Sequence, residues 1–359
     1  MNYNLKKIFH KKRVLITGHT GFKGTWLSLW LIRYNAKILG ISLINSNKNN
    51  FYSSLNLDRQ IKSYYFDINK NLAKTRNLIV KFKPDFIFNL AAQALVSVSY
   101  QKPVQTLENN IGININILES LRFVNHQCSI ILITSDKVYE NLERRKAYTE
   151  SDALGGKDIY SVSKSASELI IQGYKESFLK KKRNLKIAIA RAGNVIGGGD
   201  WAKNRLVPDI FRQWKNNRML YLRNPSSTRP WQFVLEPLYG YMILAYKIKK
   251  IPKLNYEIFN FSSRATHNLS VLKMVTKFAK LRKNKFSKFR YLKKNLFKEA
   301  NILNLSSKKA KIYLKWKSFL SLNETAKLIT DWYENRNKEK ILEISNKQIE
   351  YFIKKINNE

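Results

Sequence analysis

Residues 13–24 read Arg-Val-Leu-Ile-Thr-Gly-His-Thr-Gly-Phe-Lys-Gly, an apolar run that breaks into glycines and then opens a helical pattern. Gly18, Gly21 and Gly24 carry no Cβ, so the backbone there can close on a pyrophosphate at the start of the following helix. A tight strand-to-helix turn with no ligand would use the same glycines, so the surrounding pattern decides. Apolar runs follow at 37–41, 85–90, 129–134 and 186–191, separated by amphipathic stretches at 22–34, 71–82, 104–124 and 160–179. Continuous apolar strands alternating with helices predict an α/β chain built on a doubly wound parallel sheet covered on both faces. Past 191 the pattern loosens into glycine- and proline-containing segments, and a further apolar run at 256–261 is placed to return to the sheet. The expected organisation is a dinucleotide-binding domain over 1–192 with a return near 234–262. A smaller mixed substrate lobe takes 193–233 and 263–334, and a basic helical tail takes 335–359.

The chain holds 359 residues, 44% of them hydrophobic, with 66 Lys and Arg against 25 Asp and Glu for a formal charge of +41. That apolar content excludes intrinsic disorder in spite of the charge. No apolar run approaches the ~20 residues of a membrane-spanning helix. The polar, basic start shows no secretory pattern, so a cytoplasmic location and no membrane partner are expected. Cys128 is the one cysteine, and the four histidines are scattered, so neither a disulfide framework nor a metal site is expected. A nucleic-acid binder concentrates its cations on one face or arm. Here Lys, Asn and Ile crowd every segment, which favours a compositional bias spread over the whole surface. No nucleic-acid partner is expected, and the densest basic runs, 180–183, 273–298 and the tail, read as surplus.

Two further groupings carry chemistry. Tyr160 and Lys164 stand four apart on a helical stretch and so share a face, where the ammonium is expected to lower the phenol from its ordinary value of ~10. The spacing alone is uninformative, because Tyr3/Lys7, Tyr246/Lys250, Tyr313/Lys317 and Tyr351/Lys355 repeat it. Position distinguishes Tyr160, since it opens the helix after the fourth apolar run. Thr134-Ser135-Asp136-Lys137 ends that run, and in doubly wound sheets ligands bind off the carboxyl ends of strands. The usual fingerprint places an acid about 20 residues beyond the glycines to choose NAD. This chain has Gly40-Ile41-Ser42 there, with the next acid at Asp58, so that segment leaves NAD and NADP open.

Taken together, the glycine turn, Asn89-Leu90-Ala91-Ala92, Ser135 and the Tyr160/Lys164 pair resemble the extended short-chain dehydrogenase/reductases, the NAD-dependent epimerase/dehydratase family with a Rossmann fold. Within it, Ser135–Asn141 (SDKVYEN), residues 190–201 (ARAGNVIGGGDW) and residues 229–237 (RPWQFVLEP) resemble its nucleotide-sugar 4,6-dehydratases, on the branch acting on CDP-glucose. The resemblance runs along nearly the whole chain, is weakest over 273–297, and ends before the residues after Asn335. The related dTDP-glucose enzymes carry Thr-Asp-Glu where this chain has Ser135-Asp136-Lys137, and the epimerases lack that acid/base pair.

The resemblance implies NAD as cofactor, held by Gly18, Thr20, Gly21, Phe22, Lys23, Gly24, Asp67, Ile68, Leu90, Ala91, Ala92, Asn110, Tyr160 and Lys164. It implies Ser135, Asp136, Lys137, Tyr160 and Lys164 as the catalytic set. Tyr160 takes the O4 proton, Ser135 bonds the emerging carbonyl, Asp136 protonates the departing C6 hydroxyl, and Lys137 is the base at C5. Hydride moves from C4 to C6 of the sugar and water is lost. Gln93, Asn194, Arg205 and Arg229 are implied at the substrate. A homodimer through the helices at 104–124 and 160–179 and a place in lipopolysaccharide-type sugar biosynthesis are implied as well. The competing readings are another nucleotide-sugar dehydratase or a 4-epimerase, and a non-catalytic dinucleotide-fold protein that binds RNA.

Overall fold

The structure is a computed structural model describing residues 3–44, 50–264, 267–282, 285–292, 302–335 and 338–358. Its centre is a sheet of β1 (Arg13–Thr17), β2 (Lys37–Ser42), β3 (Lys62–Tyr65), β4 (Phe86–Asn89), β5 (Cys128–Ile133), β6 (Leu185–Ala192) and β7 (Ile258–Phe261). The order across the sheet is β7-β6-β5-β4-β1-β2-β3, and every pairing is parallel. Both faces are covered, as the continuous apolar runs require. In β1, Val14 and Ile16 join the core beneath Trp26 and Trp30, while Leu15 joins the opposite one with Ile117 and Ile171. The longer helices are α1 (Phe22–Arg33), α2 (Leu72–Phe82), α3 (Pro103–Leu121), α4 (Ile159–Tyr174), α5 (Leu206–Lys215), α6 (Leu235–Lys250), α7 (Val271–Leu281), α8 (Leu322–Glu334) and α9 (Lys338–Asn357). The chain reverses its direction of travel across the sheet between β1 and β4, and that switch point is where an open α/β sheet leaves a crevice.

β3 carries no apolar run. Its Lys-Ser-Tyr-Tyr sequence lies at the sheet edge and is only partly buried, so an argument from hydrophobic runs passes over it. A short helix, Leu5–Phe9, precedes β1 where the basic start gave no helical expectation; Asn4 caps it, and Phe9 is buried 4.7 Å from the Phe86 ring. Beyond β6, three short strand pairs lie outside the central sheet, and one of them joins Thr228–Pro230 to Asn268–Ser270. Glu236 at the start of α6 ties residues 318–320 to that helix. Its carboxylate accepts from Phe319 N at 3.0 Å, Leu320 N at 2.9 Å and the Ser318 hydroxyl at 3.2 Å, and burial pushes it up to about 7.

The tail, read from sequence as surplus, is a packed helix over its described length. Ile341, Ile349, Phe352 and Ile356 of α9 belong to the main core. Ser345 Oγ accepts the indole N–H of Trp332 at 3.0 Å with both side chains buried, and Arg33 on α1 bonds Asn346 and Glu350. Ser345→Ala leaves that indole donor buried without a partner, at an expected cost of about 1–3 kcal/mol. Urea unfolding checks this, and an unchanged midpoint would contradict it. Residues 283–284 and 293–298 of the basic stretch at 273–298, and 336–337 and 359 of the tail, lie outside the described residues. Among the described residues, no helix is long and apolar enough to cross a membrane. Nor is there, among them, a group of three or more His, Cys, Asp or Glu placed to hold a metal ion.

Candidate active site

The glycine turn sits at the β1/β4 switch point. Gly18 has φ +68°, and a Cβ on it would lie 3.0 Å from the Ala91 backbone. A Cβ on Gly24 would lie 2.1 Å from the Gly18 carbonyl oxygen, so the turn closes only with glycine at both places. Thr17 Oγ1 donates to Asn89 Oδ1 at 2.5 Å and accepts from Ala91 N at 3.1 Å, which fixes the β4 exit (Leu90–Ala92) against the turn. Exposed Gly21 caps α1 with no side-chain bond to its first N–H groups. A shallow cradle with open helix N–H donors fits the diphosphate of a dinucleotide.

Around the turn, the Thr20 hydroxyl donates to Ser42 at 3.0 Å, and Asp67 Oδ1 accepts from Asn69 N at 2.9 Å beyond β3. Ile68 is buried, and its carbonyl accepts from Asn116. Asp58, the first acid after β2, accepts from Tyr65 OH at 2.6 Å. Asn110 is fully buried and spends its amide on the Gln93 backbone and the Ser163 hydroxyl, so it clamps the β4 exit to α4. One support lacks a local signal. The His19 ring fills the space over Gly40, where a Cβ would come within 2.4 Å of it, and bonds Ser63 on β3 at 3.0 Å.

Burial pushes His19 down from 6.5 to about 4. Between those values the unfolded chain binds a proton that the folded chain does not, so stability rises with pH across that window and is lost as pH falls through it. Urea unfolding at several pH values is expected to show this slope, and His19→Gln to flatten it. An equal slope in the variant would contradict the assignment.

Ser135, Asp136 and Tyr160 come together at the carboxyl end of β5, all buried. Ser135 begins a single helical turn (Asp136–Val138) and donates to Asp136 Oδ1 at 2.9 Å. Asn194, in the left-handed region at φ 51°, donates to Asp136 Oδ2 at 3.1 Å. Lys164 Nζ lies 5.9 Å from the Tyr160 ring centroid. The expected lowering of the phenol is reversed in this structure. Burial dominates and pushes Tyr160 up to about 12 despite the lowering influence of Ser135, while burial and Lys23 push Lys164 down to about 7.

α4 is held in place from beneath. Glu168, one turn past Lys164, pairs with Arg191 of β6, both fully buried, and accepts from Thr134 Oγ1 at 2.6 Å. Arg191 also donates to Tyr139 OH at 2.7 Å, and Tyr139 donates to Asn260 at 2.7 Å.

A cavity of about 320 Å³ opens over Ser135, Asp136, Lys137 and Tyr160. Of the residues expected at the substrate, Asn194, Arg205 and Arg229 line it and Gln93 does not. Gln93 turns its amide to Leu95 and Thr106 instead. Phe22 and Lys23, expected at the cofactor, also face this cavity. Burial and Arg205 push Lys23 down to about 8 while Asp136 pulls it up. Five cations, Lys23, Lys137, Arg205, Arg223 and Arg229, line the cavity against Asp136, Asp200 and Asp209, an imbalance suited to a diphosphate.

Between the lining residues Ile196 and Asp200 runs the glycine loop at 197–199, set on an aromatic floor. Trp332 occupies the space a Gly198 side chain would need, Trp26 donates to Gly198 O at 2.9 Å, and Tyr333 OH donates to Asp200 O at 2.6 Å. Asp200 then pairs with Arg205 at 3.0 Å, so α8, and α9 behind it, hold a cavity arginine in place.

The chain matches the family model described as GDP-mannose 4,6 dehydratase over residues 15–329. It is 38% identical over 333 residues to a CDP-glucose 4,6-dehydratase of Salmonella typhimurium, covering 92% of each chain. It is 29% identical over 211 residues to a CDP-paratose 2-epimerase of Salmonella typhi, covering 53% of this chain and 59% of that one. A dTDP-glucose 4,6-dehydratase of Streptomyces venezuelae, solved with NAD and TYD bound, has a TM-score of 0.77 at 18% identity, covering 90% of this chain and 98% of that one. An epimerase of Methanothermobacter thermautotrophicus has a TM-score of 0.80 at 21% identity, covering 96% and 97%. Both structures share the fold described above.

Proposed function

The chain belongs to the GDP-mannose 4,6 dehydratase family, and from that premise we propose that it is a CDP-glucose 4,6-dehydratase, an NAD-dependent lyase that makes CDP-4-keto-6-deoxyglucose. The relative that shares 38% identity along 92% of both chains carries that name. The observation that carries the reading is Asp136, an acid fixed by Ser135 and Asn194 in the same cavity as Tyr160. Oxidation at a sugar carbon needs only a base; loss of the C6 hydroxyl needs an acid beside it. A 4-epimerase has no use for that acid, so elimination is favoured over epimerisation.

In this reading the turn Gly18–Gly24 with Thr20, Phe22 and Lys23 holds the diphosphate side of NAD, with Asp67, Ile68, Leu90, Ala91, Ala92 and Lys164 along its length. When bound, the dinucleotide supplies the two-electron acceptor that C4 oxidation requires and that is regenerated at C6. Tyr160 takes the O4 proton, and Ser135 bonds the emerging carbonyl. Lys137 removes the C5 proton, which the 4-keto group has made acidic, and Asp136 protonates the C6 hydroxyl as it leaves. Arg229 and Arg205 offer forked donors to the CDP diphosphate, and Asn194 lies on the sugar side. We place the reaction in the cytoplasm, in the supply of deoxysugars for lipopolysaccharide-type polymers. We also infer a homodimer through α3 and α4, whose outer faces expose Val104 and Leu169.

Incubation with NAD and each of CDP-, dTDP-, UDP- and GDP-glucose tests the substrate. Alkali-sensitive absorbance of a 4-keto-6-deoxy sugar is expected with CDP-glucose. Product from another nucleotide, and none from CDP-glucose, would overturn the assignment.

A further inference from the structure

Lys23 is the second residue of α1, a place where the helix terminus is already positive and where no acid accompanies it in the first turn. Its side chain does not run out to the surface. It lines the cavity with Ser135, Asp136 and Tyr160, and its Nζ lies 5.7 Å from the centroid of the Tyr241 ring on α6. Tyr241 is fully buried, and its hydroxyl has no hydrogen-bond partner. Among the described residues, no hydrogen bond or ion pair holds Lys23 Nζ; the ring face is its one partner.

This placement is unfavourable to the free chain on three counts. The helix end repels a cation, burial opposes the charge, and Arg205 and Lys164 repel it as well. Asp136 attracts it, but that carboxylate already accepts from Ser135 on Oδ1 and from Asn194 on Oδ2. An ammonium has three donors, and a ring face satisfies none of them. The charges that Lys23 feels also locate it. Lys164 stands beside Tyr160, assigned to O4 of the sugar, and Asp136 is assigned to the C6 hydroxyl, so Lys23 belongs to the hexose end of the cavity. Arg229 and Arg205 are left for the diphosphate.

Resting on the dehydratase reading, we propose that the Lys23 side chain is a substrate-binding residue that donates hydrogen bonds to hydroxyl oxygens of the hexose, leaving its backbone N–H to the dinucleotide. One residue of the glycine turn then serves both ligands, the main chain on one side and the ammonium on the other. Tyr241 keeps the ammonium over the cavity floor without consuming its donors.

Calorimetric titration of the full chain loaded with NADH, which cannot accept the C4 hydride, tests this without turnover. Lys23→Met is expected to weaken CDP-glucose by about 10–150-fold, the range for a hydrogen bond to a charged group, while CDP and NADH stay within about threefold. Lys23→Gln, which keeps a neutral donor, is expected to fall between Lys23→Met and the unmodified chain. The thermal midpoint of Lys23→Met without ligands is expected to rise, because a cation held for binding at a cost in stability is gone. CDP and CDP-glucose weakened by the same factor would place the ammonium on the diphosphate and overturn the proposal. NADH weakened with CDP-glucose unchanged would place it on the cofactor, and a lowered midpoint with unchanged binding would make it structural; either also overturns the proposal alone. An unmodified chain that binds neither CDP nor CDP-glucose would overturn the substrate reading, and the proposal with it.

Discussion

Gly193→Ala is expected to lower dehydration by about 10²–10⁴-fold, the range for losing a positioned general acid, while the chain still folds. A Cβ on Gly193 would sit 1.7 Å from Asp136 Oδ2 and 1.9 Å from its Cγ, far inside contact distance. Asp136 is short and buried, so its carboxylate has to swing away, giving up the Asn194 bond and the Ser135 bond together. The collision is with one side chain and not with a strand, so circular dichroism and the thermal midpoint are expected to change little. Steady-state kinetics read the effect. A Gly193→Ala enzyme with ordinary turnover would remove Asp136 from the reaction.

Arg191→Met is expected to destabilise the chain by about 3–5 kcal/mol, because it leaves Glu168 buried with no counter-charge. Against a typical total of about 5–15 kcal/mol that loss is large, and poor solubility is expected. The pair is unusually committed. Glu168 takes Arg191 Nε at 2.9 Å and Thr134 at 2.6 Å, and Arg191 carries Tyr139 on its remaining side. Replacing both partners, as Glu168→Leu with Arg191→Met, removes the stranded charge, so the double variant is expected to recover most of the loss. Urea unfolding of the three variants gives the coupling. Additive losses would show that the two residues act independently. Because Thr134 precedes Ser135 and Glu168 follows Lys164 on α4, the pair also sets the helix against the strand that carries the acid.

Much of this was legible in the sequence, for identifiable reasons. The glycine turn and the strands β1, β2, β4, β5 and β6 announce themselves through residues adjacent in the chain. So does the polar cluster at the end of β5, since a parallel sheet directs its strand ends toward one crevice. What stayed hidden depends on contacts between distant residues. Gly40 reads as an ordinary strand glycine until the His19 ring is seen to occupy its side-chain space. Gly193 reads as part of a loop motif until Asp136 is found against it, and no spacing in the sequence announces the pairing of Glu168 with Arg191. Gln93 matched a substrate-side pattern but satisfies its amide locally. The pairing of Tyr160 with Lys164 predicted a phenol lowered by charge, whereas burial, which spacing does not reveal, dominates in the structure. The net charge of +41 proves informative only where it is concentrated, in the five cations around the cavity. The basic tail contributes through its apolar side, by packing α9 behind Trp332 and the glycine loop.

The reaction class itself rests on the transfer of hydrogen from C4 to C6 within one sugar. CDP-glucose carrying deuterium at C4, incubated with the full chain and NAD, reads that transfer directly by mass spectrometry and NMR. The expected product is CDP-4-keto-6-deoxyglucose with the deuterium in its C6 methyl group. Deuterium left at C4 of an unreduced hexose, or lost to solvent with no methyl label, would contradict an internal dehydration.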